Sequence, residues 1–319
     1  MTQSPWGLFI EQLKGELPFW VYQVLSAMAD PLYWLVKKAL EGAIAAVLSN
    51  TFTNLNTNVN YSTNFAGSTP QIWNPTIFAF IQGVSENVII PLSGIVITYV
   101  LVYELITMVV DKNNFHEFDT SLFIRYIGKA VIAVLLVTHS TEIIEALFEA
   151  GGSIVRDVTA ELGSSRSYDI SCVDTFISMF RSGSDDYTVN ELLVFLLISI
   201  ILWIAIWCMS IYIMVIMYGR FMEIYLYMSV APMAFATMTN REWGNIGTNY
   251  LRSMIALAFQ GFLIMVCCGI YSTLILNLGT LTADDDFGQA ICQVLIYTLV
   301  LAVALGKTGS LSKSLFGAH

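Results

Sequence analysis

The sequence predicts an all-α, polytopic integral membrane protein with about five transmembrane helices, or six in an alternative count. The run from Leu192 to Tyr218 contains no charge over 27 residues, and a helix of that length reaches roughly 40 Å, more than a bilayer requires. Hydrophobic residues make up 56% of the chain and charged residues only 12%, whereas soluble domains have about 25% charged residues. The mean hydropathy of +0.68 agrees with this class.

The first predicted region covers residues 1–85 and precedes the membrane spans. Between residues 6 and 49, Pro18 and Pro31 divide a mixture of apolar and charged residues into short amphipathic helices. We expect these helices to lie along the membrane surface or against a partner; a first transmembrane helix is the alternative. Residues 50–76 carry no charge and begin with ten Asn and Thr in fifteen positions, which predicts an exposed loop.

The second predicted region, residues 86–319, is the transmembrane domain. Its second apolar segment is too short to cross a membrane alone. The long side chains that flank this segment can reach outwards and so lengthen the usable helix into a span. Residues 149–190 form a hydrophilic loop with seven carboxylates against three Arg, which we expect outside the cytoplasm. The predicted spans are, in order, Asn87–Val110, 123–147, 191–218, Ser253–Leu278 and Gln289–Gly306.

Residues 219–239 decide between five and six spans, because they either continue the third span or cross separately. Lys and Arg near spans collect on the cytoplasmic side of membrane proteins. Five spans with the amino terminus outside satisfy this rule, and they leave the acidic stretch 149–190 and Asp284–Asp286 outside. We therefore prefer five spans, with a cytoplasmic carboxyl terminus.

No motif indicates a catalytic, cofactor or metal site. The five Cys lack paired spacing and the three His are scattered, so no metal ligand set is evident. The stretch 306–310 resembles the end of a phosphate-binding loop, but Leu301 occupies the position where that motif requires Gly. We expect no enzymatic activity and no cofactor.

Charged residues at membrane depth are the first candidate functional residues, since each is costly unless it faces water, a partner or another charge. Glu104 lies near the end of the first span, where it faces a pore or partner or else reaches the cytoplasmic surface. Arg220 and Glu223 are three residues apart, a spacing that suits an intrahelical ion pair, with contact to cargo as the alternative.

Three further candidates concern the backbone and helix packing. Pro232 interrupts an apolar segment, which indicates a broken or re-entrant element lining a cavity, or simply a helix end. Gln260 and Gly261 lie inside the fourth span. This pair suits an interhelical hydrogen bond at a close helix crossing.

The segment from Arg220 to Tyr271 resembles the TrbL-like conjugal transfer family, the polytopic membrane subunit of type IV secretion systems. The first span, with Pro91, Glu104-Leu105 and Lys112-Asn113-Asn114, is similar to the branch found in Gram-positive conjugative elements. None of the matching positions is a catalytic signature. In the segment they are Arg220, Glu223, Ala231-Pro232, Glu242-Trp243, Gly247, Asn249-Tyr250 and Gln260-Gly261.

The resemblance implies a membrane channel or scaffold subunit that forms homo-oligomers around or beside a DNA translocation path. The implied partners are a secretion ATPase, a coupling protein, a cell-wall hydrolase and membrane lipid, with transient contact to a single-stranded DNA–protein cargo. We expect a passive role, with ATP hydrolysis elsewhere driving transfer. The residues leave two alternatives, a secondary transporter or ion channel suggested by Glu104 and Pro232, and a purely structural membrane scaffold.

Overall fold

The computed structural model describes residues 9, 11–12, 18–111, 120–165, 180, 187–238, 240, 243–278 and 287–318. All regular elements in this part of the chain are helical, which confirms the all-α prediction. We number the helices α1 (Phe19–Gly67), α2 (Pro70–Trp73), α3 (Pro75–Val84), α4 (Ile90–Asp111), α5 (Thr120–Thr138), α6 (Ser140–Ser165), α7 (Val189–Thr237), α8 (Gly244–Leu278) and α9 (Phe287–Leu315).

Among the described residues, four helical stretches are long and apolar enough to cross a membrane. A fifth candidate is a pair of helices, Phe123–Thr138 and Ser140–Ala160, bent by 68° at His139. Residues 219–237 continue α7 and add no separate span, so the described residues hold four candidate spans, or five if the bent pair is one span. The four unbent candidates are Pro75–Val110, Val189–Thr237, Gly244–Ile275 and Ile291–Leu315.

The predicted Asn/Thr-rich loop at residues 50–76 is wrong, because α1 runs on to Gly67 and two further helices follow. Thr51, Thr53 and Thr57 donate their hydroxyl hydrogens to carbonyls four residues earlier at 2.7–2.9 Å. These bonds satisfy the hydroxyls within the helix, at a slight cost to helix stability. The same segment buries Phe52 and Leu55, so packing outweighs the loop-forming tendency of Asn and Thr.

The predicted division of the amino-terminal region at Pro31 is also wrong. Pro31 lies inside α1, which continues for 36 residues beyond it. A proline ring removes one backbone donor and disturbs a helix, but neighbouring packing can hold the helix together. Pro18, in contrast, directly precedes α1.

The first predicted span is longer in the structure than Asn87–Val110. Asn74 caps α3, where its side-chain oxygen accepts hydrogen bonds from the backbone N–H groups of Thr76 and Ile77 at 3.1 Å. A π-helical turn, Ser85–Ile89, then joins α3 to α4 without ending the helix. The candidate span therefore starts at Pro75.

The predicted acidic loop at 149–190 is helical in its first part, because α6 extends to Ser165. Residues 166–179 and 181–186 of this stretch lie outside the described residues, as do Asp284–Asp286 and the segment 241–242. The prediction for those positions stays a prediction.

Contacts divide the chain into two compact units. The first unit comprises Met1–Asn58, Tyr168–Ile211 and Tyr271–Val300, and the hydroxyls of Tyr271 and Thr298 are hydrogen-bonded at 3.2 Å within it. Its fully buried side chains include Ile44, Leu48, Phe52, Leu192 and Ile206.

The second unit comprises Val59–Ser167, Tyr212–Ile270 and Leu301–His319. All six candidate residues from the sequence lie in this unit. Its apolar core includes Phe221, Ile224, Met254, Leu257, Ile264 and Leu305.

Candidate functional site

Glu104 forms an ion pair with Lys129 between α4 and α5. The distance from Lys129 Nζ to Glu104 Oε1 is 2.5 Å, and the Glu104 side chain is only 8% exposed. A carboxylate at this depth needs a compensating charge, and Lys129 supplies it. The sequence analysis did not name Lys129, so it missed this partner.

Two tyrosines of α4 hold the turn between α7 and α8. The Trp243 ring stacks on Tyr99 at 5.5 Å and on Tyr103 at 5.7 Å between ring centroids. Stacked aromatic pairs at this spacing are favourable beyond the area they bury. The contact fixes the start of α8 relative to α4.

Arg220 and Glu223 do not form the intrahelical ion pair that their spacing suggested. Arg220 is 5% exposed, and its Nη2 donates to the carbonyl oxygen of Leu257 on α8 at 3.5 Å. Its Nε and Nη1 have no hydrogen-bond partner among the described residues. The Arg220 guanidinium therefore points into the second unit, where it meets the backbone of α8.

Gly261 makes room for the Arg220 guanidinium. A Cβ atom added at Gly261 would lie 2.7 Å from the carbonyl oxygen of Ala66 and 2.8 Å from Arg220 Nη2. Both distances are too short for a carbon atom to occupy. The carboxyl-terminal end of α1 and the helices α7 and α8 therefore come close together at Gly261. Only glycine, which has no side chain, permits this contact.

Glu223 forms its ion pair with Lys313 of α9. The two side chains are 37% and 36% exposed, respectively, so this pair is far less buried than Glu104. Sequence spacing did not reveal the pairing, because Lys313 lies 90 residues away.

Polar groups also join α8 to α9. Gln260 Nε2 donates to Thr308 Oγ1 at 3.4 Å, and the Ser312 hydroxyl donates to the carbonyl oxygen of Ala256 at 2.5 Å. Gly309 permits the approach, since a Cβ there would lie 3.3 Å from Gln260 Nε2. Small residues with polar neighbours are typical of close helix packing in membranes.

Pro232 lies inside α7, which continues to Thr237. The predicted broken or re-entrant element is therefore wrong, and so is the alternative of a helix end at this proline. The nearby helix is held by the Tyr250 hydroxyl, which donates to the carbonyl oxygen of Tyr227 at 2.8 Å. Packing of this kind keeps a proline-containing helix in place.

An aromatic cluster that sequence reasoning missed anchors the link between α1 and α3. Trp73 stacks on Phe221, with ring centroids 4.6 Å apart and planes inclined by 8°. The Tyr225 hydroxyl donates to the carbonyl oxygen of Pro70 at 2.7 Å. No periodic pattern pointed to Trp73, because it belongs to a helix of four residues.

The contacts of the candidate residues run between helices. Glu104, Glu223 and Gln260 each bond to a side chain of another helix, and Arg220 bonds to a backbone carbonyl. Together they join α4 to α5, α7 to α8 and α9, and α8 to α9. The polar residues of the candidate site thus organise the helices of the second unit.

Comparison with known proteins gives one family. The family model described as TrbL/VirB6 plasmid conjugal transfer like protein matches residues 55–232. The match includes Glu104, Arg220, Glu223 and Pro232, whereas Gln260 and Gly261 lie beyond it. No curated protein matches the chain.

Proposed function

Because the chain belongs to the TrbL/VirB6-like family of plasmid conjugal transfer proteins, we propose that it helps form the membrane path for a DNA–protein substrate in a conjugative type IV secretion system. The family match over residues 55–232 carries the proposal. The apolar helices support it, since they suit a multi-pass membrane protein. In this role the subunit is a channel or scaffold component and has no catalytic activity of its own.

The contacts of the polar residues suggest where such a path lies. Glu104 and Glu223 pair with lysines of the same protomer, and Gln260 bonds to Thr308. These groups are therefore poorly available to line a channel inside one protomer. The proposed path runs between copies of the chain or between this chain and other subunits.

Exposed apolar faces supply the surfaces for such an assembly. Ile95 on α4 is 70% exposed, and Ile201 and Val215 on α7 are 65% and 62% exposed. In a membrane these faces contact lipid or other helices. Homo-oligomers, with a secretion ATPase, a coupling protein and a cell-wall hydrolase as further partners, agree with this arrangement.

We place the protein in the bacterial plasma membrane with the amino terminus outside, following the distribution of Lys and Arg. Single cysteines at Ser184 and Ser310, introduced into a chain without its own cysteines, test this orientation. An impermeant thiol reagent added to intact cells should label the first position and not the second. The reverse pattern would overturn the orientation.

Mating frequency is the first test of the function. A donor with an in-frame deletion of this gene should lose transfer, and supplying the gene in trans should restore it. Unchanged transfer would contradict the proposal and favour a secondary transporter or ion channel.

Photocrosslinking separates a channel from a scaffold. A photoreactive residue at Ile95, Ile201 or Val215 in a mating donor should capture the transferred DNA strand at one position or more. Buried Ile264 is the matched control, and a photoreactive residue there should capture no DNA. Crosslinks to protein alone at all three exposed positions would identify a structural scaffold.

A further inference from the structure

A cavity of about 260 Å³ lies within the second unit, beside α2, α3 and α6. Three charged side chains of α6 line it, namely Glu145, Glu149 and Arg156. The rest of the wall combines polar and apolar groups, which are Thr69, Pro70, Gln71, Ile72 and Phe78. None of the candidate residues from the sequence belongs to this cavity.

The charges occupy one face of α6 in a defined order. At about 100° per residue, Glu145, Glu149 and Arg156 project within about 40° of one another. The rise of about 1.5 Å per residue separates Glu149 from Arg156 by about 10 Å along the helix. The face therefore presents an acidic end and a basic end with a gap between them.

The basic end is positioned by the backbone around it. A Cβ added at Gly152 would lie 3.4 Å from Arg156 Nη1, 3.6 Å from Thr69 Cγ2 and 3.2 Å from the carbonyl oxygen of Gly67. The Arg156 side chain therefore folds back along α6 towards Glu149, past the link between α1 and α2. Gly152 leaves the space that this path requires.

The two charges do not neutralise each other. In the part of the chain that the structure describes, neither Glu149 nor Arg156 takes part in an ion pair. Both side chains are exposed, and seven residues separate them along α6. A ligand with a cation and an anion a few bonds apart fits between them.

The position of the cavity points to the membrane boundary. Its wall includes Phe78, near the start of the candidate span that begins at Pro75, and three residues of Ser140–Ala160, the second helix of the bent pair. The wall also includes one strongly exposed apolar side chain, since Ile72 is 68% exposed. A polar cavity bordered by apolar surface suits an amphiphile.

We propose that this cavity binds the head group of a zwitterionic phospholipid that carries a primary ammonium group, with the phosphate at Arg156 and the ammonium at Glu149 and Glu145. A guanidinium binds phosphate through paired N–H donors. The carboxylates accept hydrogen bonds from the ammonium N–H groups. The acyl chains leave along the apolar surface at Ile72.

The geometry discriminates among lipid classes. A trimethylammonium head group has no N–H to donate, so phosphatidylcholine lacks the hydrogen bonds to Glu149. Phosphatidylglycerol has no cation, so it leaves both carboxylates without a partner. Phosphatidylethanolamine satisfies both ends, and we expect it to bind at least tenfold more tightly than either of the other two lipids.

Lipid binding to the purified full-length protein in detergent, measured by native mass spectrometry over a titration of each lipid, tests the proposal. Glu149→Gln and Arg156→Gln should each weaken phosphatidylethanolamine binding about tenfold, because one charge-assisted hydrogen-bonding partner is lost. Matched controls are Glu142→Gln and Arg125→Gln, which remove an exposed charge of the same kind outside the cavity. Both controls should retain the wild-type affinity.

Several outcomes would overturn the proposal. If phosphatidylcholine or phosphatidylglycerol bound as tightly as phosphatidylethanolamine, the carboxylates would have no role in recognising the ammonium group. Binding of soluble phosphoethanolamine as tight as that of the lipid would assign the cavity to a small zwitterion instead. Unchanged binding in Glu149→Gln and Arg156→Gln would place the lipid elsewhere, and no lipid binding at all would leave the cavity to a side chain of a partner protein.

Discussion

Glu223 pairs with Lys313 of α9 and not with Arg220, although Arg220 lies only three residues away on the same helix. The two charges of α7 thus serve different neighbours. Arg220 holds the backbone of α8, and Glu223 holds the end of α9.

A charge-swap cycle tests the link between α7 and α9. Glu223→Lys and Lys313→Glu should each lower the melting temperature of the detergent-solubilised protein, because each places two like charges together. The double variant should recover most of the loss, with a coupling of about 0.5–1 kcal/mol, since both side chains are more than one-third exposed. Strictly additive losses would show that the pair contributes nothing.

Gly261→Ala should destabilise the protein by about 1–3 kcal/mol, because the new Cβ collides with Arg220 and with the carbonyl oxygen of Ala66. The measurement is thermal unfolding of the purified protein, followed by circular dichroism. Gly219→Ala is the matched control, since no atom lies within 4 Å of a Cβ at that position. That variant should be as stable as the wild type or slightly more stable, because Ala favours a helix; equal losses in both variants would contradict the close contact.

Glu104→Gln should cost about 1 kcal/mol of stability, because the buried side chain loses its charge-assisted hydrogen bond to Lys129, whose own side chain is 41% exposed and stays solvated. Replacing both residues, as in Glu104→Gln with Lys129→Met, should recover part of the loss. Chemical unfolding of the solubilised variants provides the comparison. A double variant whose loss equals the sum of the two single losses would show that the two side chains act independently.

Pro232→Ala should maintain or raise stability, because α7 is continuous through this position and Ala restores a backbone donor. Mating frequency should stay at the wild-type level. A variant that folds normally but no longer supports transfer would show that the proline has a functional role beyond the helix.

The membrane spans could be predicted because uncharged runs of sufficient length have one plausible structure in a bilayer. The run Leu192–Tyr218 indicated α7 directly, and the uncharged stretch after Ser253 indicated α8. The bend at His139 was not predicted, because the sequence analysis extended the short second apolar segment into a span over residues 123–147, whereas the structure has two helices inclined by 68°.

The pairing of charged residues could not be predicted in the same way. Glu104 and Lys129 are 25 residues apart, and Glu223 and Lys313 are 90 apart. Which charges meet depends on how the helices pack, whereas local spacing favoured Arg220 with Glu223. The helical segment after residue 50 was also missed. Its Thr hydroxyls donate hydrogen bonds to carbonyls of their own helix, and composition alone does not show this.

Helix α7 is longer than a membrane crossing requires. Its 49 residues extend about 74 Å, whereas the hydrocarbon core of a bilayer is about 30 Å thick. Even at a tilt of about 40°, a helix needs only about 39 Å to cross. A substantial part of α7 therefore lies outside the hydrocarbon core, where it is available for contact with other subunits.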